Sequence, residues 1–381
     1  MSTHIEINAI HSAHMPTYVD ENPEYWDDYD NLQRVKHQLL RGYLGGWFPI
    51  LGSWSGRIVY IDCNAGRGKH RTGQPGSPLI AISTFLGHPF RDRILKNCEV
   101  SFFFIEADKE NQQNLEKIMR AIKRPPKVSV TTKLGEFEAI ISTEIDRLRA
   151  QNARLAPAFV FVDPYGFSLP GKLLAQLKAF EKCELFITFM WRWIDMAIRH
   201  PEQAENMDAL FITPKWRSLL AIEDSDERCE AAIRLLCSEL GARYSTRIKM
   251  LGDNGATKYV LIHATNHPRG RELMLEVMWK ICPKDGFRAR MTDNPNQEFL
   301  IKPEPNLQPI KIWLRRFQNK AISFEEIWQQ IQDSTEGIPY LKKHLNGVLR
   351  EMLKAKEIKI PDEKSFVAAH NPTIHFVGNV D

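Results

Sequence analysis

The sequence lacks the features that mark several common protein classes. None of its six cysteines (Cys63, Cys98, Cys183, Cys229, Cys237 and Cys282) stands in a C-x-x-C pair or beside histidines at zinc-ligand spacing. Neither a metal site nor a disulfide framework is therefore expected, and the thiols read as reduced and mostly buried. No apolar run approaches the roughly 20 residues of a membrane helix. The segment from Asp20 to Asp30 is acidic and polar, where a signal peptide would be basic and then apolar. No membrane contact and a cytoplasmic address are the expectations. Charge of one sign is scarce as well: 51 Lys and Arg against 47 Asp and Glu leave a net +4. That surplus permits contact with nucleic acid without arguing for it. The G-x-G-x-x-G of a dinucleotide site is also missing.

What is present fits a globular chain of two domains. With 381 residues, 43% apolar and 26% charged, one domain is large enough to bury a continuous sheet. Residues 1–30, with His4, His11, His14 and Pro16, show no period and read as an irregular arm. Leu32, Val35, Leu39, Leu40 and Tyr43 then recur at helical spacing from Asn31 to Phe48, and Gly45 and Gly46 are expected to end that helix. Short apolar runs follow at Arg57 to Ile61, Val100 to Ile105, Lys127 to Thr131, Ala158 to Val162 and Glu184 to Phe189, each separated from the next by a helix-length segment. Such runs predict a parallel sheet buried on both faces, a doubly wound, Rossmann-like α/β fold. Tyr244 to Met250 and Thr257 to Ala264 flank the turn-forming Gly252 to Gly255 and read as an antiparallel hairpin, and a helix from Gly270 to Ile281 closes a domain over 31–283.

Residues 284–310, broken by Pro295, Pro303, Pro305 and Pro309, read as a linker. In residues 311–381, Ser323 and Glu326 make an S-x-x-E capping box that opens the helix of Ile327, Trp328 and Ile331. Pro339 is placed to begin a second helix through Leu341, Leu345, Val348, Leu349 and Met352. Ile358/Ile360, the turn Pro361 to Ser365, and Phe366/Val367 then read as a β-wing. The outline is a winged helix.

Residues capable of chemistry gather just after the predicted strands. Asp62, Cys63, Asn64, Ala65, Gly66, Arg67 and Gly68 follow the first, and Gly66 and Gly68 let the backbone pass close to a ligand. The string D-x-x-A-G-x-G is the methyltransferase form of this loop; the alternative is a tight turn that holds no ligand. Glu106, ending the second strand, suits acceptance of both ribose hydroxyls of an adenosyl group, while Asp108 reads as a helix N-cap. After the third strand, Glu136 can accept an adenine amino group and Phe137 cover the ring, or Glu136 is an ordinary acidic first helical turn.

After the fourth strand stand Asp163, Pro164, Tyr165 and Gly166. In amino methyltransferases an acidic side chain, a proline carbonyl and an aromatic at this point hold a nucleobase amine with its lone pair toward the methyl sulfonium. The second proline of D-P-P-Y is missing here, and an Asp-Pro turn closing the strand is the alternative. Ser77 before Pro78 reads as a helix cap. Lys36 and His37 either face the sheet near a cofactor carboxylate or substrate phosphate, or form a surface pair. Trp191, Trp193 and Trp216 are core residues, or, for the first two, covers for a substrate base.

Taken together, Lys36-His37, Tyr60 to Gly68, Gly76-Ser77-Pro78-Leu79-Ile80-Ala81, Phe104-Ile105-Glu106, Phe159 to Gly166 and Leu261 to His267 resemble the three-Cys-motif partner proteins, a bacterial family, over about Asp28 to Ile281. The same succession is similar to a bacterial large-subunit ribosomal RNA adenine methyltransferase. The resemblance implies a class I methyltransferase fold and S-adenosylmethionine as cofactor. It implies a cofactor pocket of Lys36, His37, Asp62, Ala65, Gly66, Gly68, Ser77, Glu106 and Glu136, and an acceptor site of Asp163, Pro164 and Tyr165. The three cysteines of the family name belong to a radical-SAM-like partner, so they imply no metal in this chain. Cys63 departs from a commoner glycine, and Asp163-Pro164-Tyr165-Gly166 replaces D-P-P-Y, so the cofactor follows more directly than an adenine amine as target.

The expected function is a methyltransferase acting on a base amine of DNA or RNA, with Lys342, Lys343, Arg350 and Lys354 of the winged-helix segment docking phosphates. Glu351 and Glu357 dilute that charge, so a protein-interaction module is equally consistent. The competing class is an accessory role beside the three-Cys-motif protein in DNA processing or defence. Methylation of a protein or small molecule is a third, because the fold does not fix the substrate.

Overall fold

A computed structural model describes residues 29–166, 168–293, 303–333, 338–361 and 366–377. The arm expected over residues 1–30 lies outside them except for Tyr29 and Asp30. Asp30 caps helix α1 (Asn31–Gly52), its carboxylate accepting the Gln33 N–H at 2.7 Å. Leu32, Val35, Leu39, Leu40, Tyr43, Leu44, Trp47 and Phe48 form its buried face. The helix does not end at Gly45 and Gly46 as expected; it continues through Pro49 to Gly52. Glycines here serve close packing instead. A Cβ at Gly42 would lie 2.6 Å from Val277 Cγ1, and one at Gly46 would lie 2.6 Å from Leu273 Cδ1, both on helix α10 (Pro268–Ile281).

Eight strands form the main sheet: β1 (Arg57–Asp62), β2 (Glu99–Glu106), β3 (Val128–Leu134), β4 (Ala158–Val162), β5 (Cys183–Phe189), β6 (Tyr244–Leu251), β7 (Thr257–Thr265) and β8 (Arg288–Arg290). Their order is 3-2-1-4-5-7-6-8. The first five are parallel, and β7 runs antiparallel to both β5 and β6. The five predicted strands and the hairpin are all present, with β3 extended to Leu134. β8, parallel to β6, was not foreseen. Its three residues fall in the proline-broken stretch 284–310 and are too few to show a period.

Every residue of β4 and β5 is buried, which is why both read as unbroken apolar runs. One apolar layer joins the sheet to α1, α2 (Ser77–Leu86), α3 (Arg91–Asn97), α4 (Lys109–Ala121) and α10. The other joins it to α5 (Phe137–Ala150), α6 (Gly171–Lys178), α7 (Trp191–Ala197), α8 (Ala204–Phe211) and α9 (Ser225–Glu239). Fully burying each large side chain contributes roughly 1.5–3 kcal/mol before entropy is subtracted. This three-layer arrangement, with an antiparallel strand inserted beside β5, is the Rossmann-like topology of class I methyltransferases.

The C-terminal unit is a winged helix: α11 (Gln308–Leu314), β9 (Ala321–Ser323), α12 (Phe324–Asp333), α13 (Lys342–Lys354), β10 (Ile358–Lys359) and β11 (Thr373–Phe376). The strands form an antiparallel sheet in the order β10-β11-β9. The capping box is formed, Glu326 Oε2 accepting the Ser323 N–H at 2.9 Å and Ser323 Oγ accepting the Glu326 N–H at 3.3 Å. Two expectations need correction. Pro339 does not open α13, whose N-cap is Leu341; the Pro339 carbonyl instead accepts Trp279 Nε1–H at 2.7 Å. The second wing strand is Thr373–Phe376 and not Phe366/Val367, because Phe366 packs into the core against Phe324, 5.4 Å between ring centroids. Of the expected wing turn, residues 362–365 lie outside the described residues.

The apolar layer beneath α1 and α10 continues without a break into the winged helix. Arg271 of α10, buried, donates from Nη2 to the Ile338 carbonyl at 2.6 Å, and Trp279 packs on Tyr340 and His344. All six cysteines are unpaired, and all but the half-buried Cys282 are buried. Among the described residues no helix is long and apolar enough to cross a membrane.

Candidate functional site at the carboxyl edge of the sheet

In a doubly wound sheet the parallel strands aim their carboxyl ends at one edge, and loops there can hold a ligand. β1 ends in Asp62, which is fully buried. Tyr60 OH donates to Asp62 Oδ2 at 3.1 Å, and the Ser77 hydroxyl donates to the same carboxylate. Burial still pushes the Asp62 carboxyl up to about 7. Ser77 is thus not the cap of α2, as expected; Gly76 takes that position and Ser77 turns to Asp62. Asp62 Oδ1 and Asn64 Oδ1 are both buried with no hydrogen-bond partner among the described residues.

The loop after Asp62 turns on Gly66 and Gly68, at φ +62° and +83°, a left-handed region open to glycine. It is fastened from three sides. Ala65 N–H donates to the Ile105 carbonyl at 2.8 Å, Gly76 N–H to the Gly68 carbonyl at 2.9 Å, and Gly66 N–H to Glu106 Oε2 at 2.6 Å. Glu106 Oε1 accepts the Asp108 N–H at 2.9 Å, and Asp108 caps α4 as expected. Glu106 therefore links the ends of β1 and β2 and holds the loop in shape.

α1 brings the lysine and histidine to this edge, and the surface-pair reading does not hold. Lys36 Nζ lies 2.5 Å from Asp163 Oδ2, with the lysine side chain only 4% exposed. His37 Nδ1 shares a hydrogen bond with Tyr29 OH at 2.8 Å, and the His70 ring lies 6.1 Å from His37 and 5.1 Å from Tyr29. Burial and the neighbouring Lys36 hold the His37 imidazole well below its usual range, so it is neutral at pH 7. Asp163 follows β4 directly; Pro164 is buried, while Tyr165 is 56% exposed. Of the tryptophans, Trp191 is core and Trp193, after β5, is 43% exposed.

Asp62, Gly66, Gly68, Ser77 and Glu106 thus meet in one place, with Lys36 and Asp163 joined beside Tyr60 and Asp62. Asp163 is close enough to add to the rise of the Asp62 carboxyl. Glu136 is exposed at the N-cap of α5 without a side-chain cap bond, although Gly135 N–H is anchored to the Glu106 carbonyl at 2.9 Å. Lys342 is bound to Glu325, whereas Lys343, Arg350 and Lys354 stand exposed on α13. Sequence reasoning assigned no role to Tyr29 or His70, which pack around His37, because neither spacing nor motif announces them. It also passed over Arg34 and Arg41, which sit at i−3 and i+4 from His37. A cleft of about 500 Å³ is lined by Tyr29, Arg34, His37, Gln38 and Arg41 of the α1 segment and by Gln74, Pro75 and Ile80.

A scan of protein-family models matches residues 286–365 to the family described as the GMT-like wHTH domain, which agrees with the winged helix seen here. No curated protein matches the chain. Among solved structures, an O-methyltransferase from Bacillus cereus in complex with SAH is matched at 11% identity over 64% of this chain and 100% of that one, TM-score 0.30. The methyltransferase subunit of a type I restriction-modification system from Streptococcus thermophilus is matched at 11% identity over 61% of this chain, TM-score 0.32. A protein from Porphyromonas gingivalis W83 is matched at 10% identity over 57% of this chain, TM-score 0.27. The chain spans 44% and 40% of these last two proteins. At such scores the likenesses carry no weight of their own, and the fold class rests on strand order in this chain.

Proposed function

We propose that the chain is an S-adenosylmethionine-dependent methyltransferase acting on a base amine of nucleic acid. The observation that carries this is the pair of unpartnered buried acceptors, Asp62 Oδ1 and Asn64 Oδ1, at the mouth of a left-handed glycine turn that Glu106 holds in place. A buried acceptor left without a donor costs about 1–3 kcal/mol. S-adenosylmethionine carries what the edge lacks, an ammonium and ribose hydroxyls as donors, and when bound it supplies a methyl group on a sulfonium. The chain's own task is then positioning. Asp62, with Ser77 and Tyr60 behind it, fixes a cationic or hydroxyl donor, and the Glu106 carboxylate at the end of β2 is placed to accept ribose hydroxyls. Asp163 and the Pro164 carbonyl receive an amine, and the exposed Tyr165 and Trp193 rings offer faces for a base. Lys343, Arg350 and Lys354 on α13 add a phosphate-docking face.

The test is transfer of labelled methyl from S-adenosylmethionine to DNA and RNA. Wild type should label one of them, and Asp163→Ala should abolish labelling while cofactor binding persists. Labelling of neither, by protein that binds the cofactor, contradicts the nucleic-acid target and leaves protein or small-molecule substrates.

One observation favours a second reading. Lys36 neutralises Asp163, and the second proline of the amine-binding motif is absent, as in a domain that keeps its cofactor site but has given up amine chemistry. In that case the chain serves as an accessory of a three-Cys-motif protein. Cofactor binding without methyl transfer to any acceptor, together with co-purification of such a partner, is its signature.

A further inference from the structure

The chain's small positive surplus is not spread evenly. Two clefts flank the cluster of His37, Tyr29 and His70. The larger, about 500 Å³, takes Arg34 and Arg41 from α1. The smaller, about 180 Å³, is lined by Arg67, Lys69, His70, Arg71, Asn114 and Ile118. No carboxylate among the described residues lines either one. Arg34, Arg41, Arg67 and Lys69 form no ion pair with any described residue; Lys342 and Lys311, by contrast, are held by Glu325 and Glu357. The nearest described carboxylate in sequence, Asp30, is turned to the Gln33 N–H and to Lys258, 3.7 Å away. Cations without ion pairs and no facing carboxylate, on a lining that is part polar and part apolar, suit a phosphate ester better than a cationic ligand.

We propose that these clefts seat the sugar-phosphate backbone of the nucleic-acid substrate, with Arg34, Arg41, Arg67 and Lys69 binding successive phosphodiesters beside the acceptor site. The inference rests on the nucleic-acid reading above and adds where the backbone lies. Arg34 and Arg41 are seven residues apart on α1, roughly 10 Å along its axis, the length of about three nucleotides at the roughly 3.4 Å per-strand rise of a stacked helix. His37, between them, adjoins Lys36, and Lys36 holds Asp163. The helix that carries the arginines is thus the one that reaches the acceptor motif through Lys36. The cations lie on α1 and the β1 loop, and the exposed rings of Tyr165 and Trp193 follow β4 and β5. Backbone and base thus have separate seats at neighbouring strand ends, the arrangement a flipped or single-stranded base requires.

The test is anisotropy of a short fluorescein-labelled single-stranded oligonucleotide, as RNA and as DNA, over a range of salt and without cofactor. The variants are Arg34→Gln/Arg41→Gln/Lys69→Gln and, on α13, Lys343→Gln/Arg350→Gln/Lys354→Gln. Removing three phosphate contacts from a single strand should reduce the slope of log K against log salt by roughly 2 and weaken binding roughly tenfold or more at moderate salt. Thermal melting and calorimetric binding of S-adenosylmethionine should match wild type, which separates failure of the clefts from failure of the cofactor site. The proposal is overturned if the cleft variant binds the oligonucleotide with an unchanged slope, or if only the α13 variant loses binding. It is also overturned if inorganic phosphate competes as well as the oligonucleotide does, since that describes a site for a free anion and not for a strand.

Discussion

Lys36 and Asp163 share a contact of 2.5 Å between Nζ and Oδ2, joining the first described helix to the loop after β4. Seven and eleven residues further along α1, Tyr43 OH and Trp47 Nε1 donate to Glu184 near the amino end of β5, the tryptophan at 3.1 Å. One helix is thereby tied to both edges of the sheet, and its two ends have different work. At the carboxyl edge the tie involves a residue proposed to meet substrate; at the amino edge it is a buried hydrogen-bond cluster.

Removing Lys36 leaves the Asp163 carboxylate, its side chain 15% exposed, without its ion-pair partner. Lys36→Met should cost about 2–4 kcal/mol, and the double variant with Asp163→Asn should recover much of the loss. Urea unfolding of the two single variants and the double variant gives the coupling. A coupling near zero would mean that the pair is an incidental contact.

Asp62 predicts a pH dependence with an unusual sign. Its folded carboxyl lies at about 7, against an unfolded value near 3.8. The folded chain keeps this proton longer than the unfolded chain, so stability falls as pH rises from about 4 to about 7 and is level above, by up to about 4 kcal/mol. Asp62→Asn removes the effect and should make the free protein more stable than wild type above about pH 7. A bound ammonium reverses the preference, so wild-type affinity for S-adenosylmethionine should drop as pH falls below about 7. Calorimetry on either side of that value checks it, and pH-independent affinity contradicts it.

Glu184 carries the opposite sign. It accepts from Tyr43, Trp47 and His263, the last at 2.8 Å, and these donors hold its carboxyl below the ordinary range against the effect of burial. Its stabilisation is present above the unfolded pKa, near 4.5, and is lost as pH falls through the depressed folded value. Glu184→Ala strands three buried polar groups and should cost about 3–5 kcal/mol at neutral pH. Cofactor affinity of the folded fraction should not change; a change there would show that the amino-edge tie reaches the site.

The two units should unfold together. Arg271 donates to the Ile338 carbonyl and Trp279 to the Pro339 carbonyl, at 2.6 and 2.7 Å, and the apolar layer is shared. Trp279→Ala should cost about 3–5 kcal/mol and split one thermal transition into two, the winged helix melting first. Differential scanning calorimetry resolves this. Two transitions already present in wild type would contradict the shared core.

How much of this was readable depended on residue and position. The strands β4 and β5 are buried on both faces, so Ala158-Phe159-Val160-Phe161-Val162 announced itself; β8, three residues long, could not. Gly46 misled because a glycine that admits Leu273 looks, in sequence, like one that ends a helix, and Gly45, which faces open space, looks the same. Phe366 and Val367 looked like a strand because an aromatic beside a β-branched residue has strand propensity wherever it packs. The carboxylates Asp62, Glu106 and Asp163 were legible from their place after strands. The partner of Asp163 was not, since a contact over 127 residues leaves no local pattern, and neither were Tyr29 and His70 around His37.

The central claim is that the carboxyl edge of the sheet binds S-adenosylmethionine through Asp62 and Glu106. Isothermal calorimetry of wild type beside an Asp62→Ala/Glu106→Ala variant tests it most directly, with circular dichroism to verify that the variant folds. The account predicts micromolar binding by wild type and none by the folded variant. No binding by wild type, or equal binding by both, would contradict it.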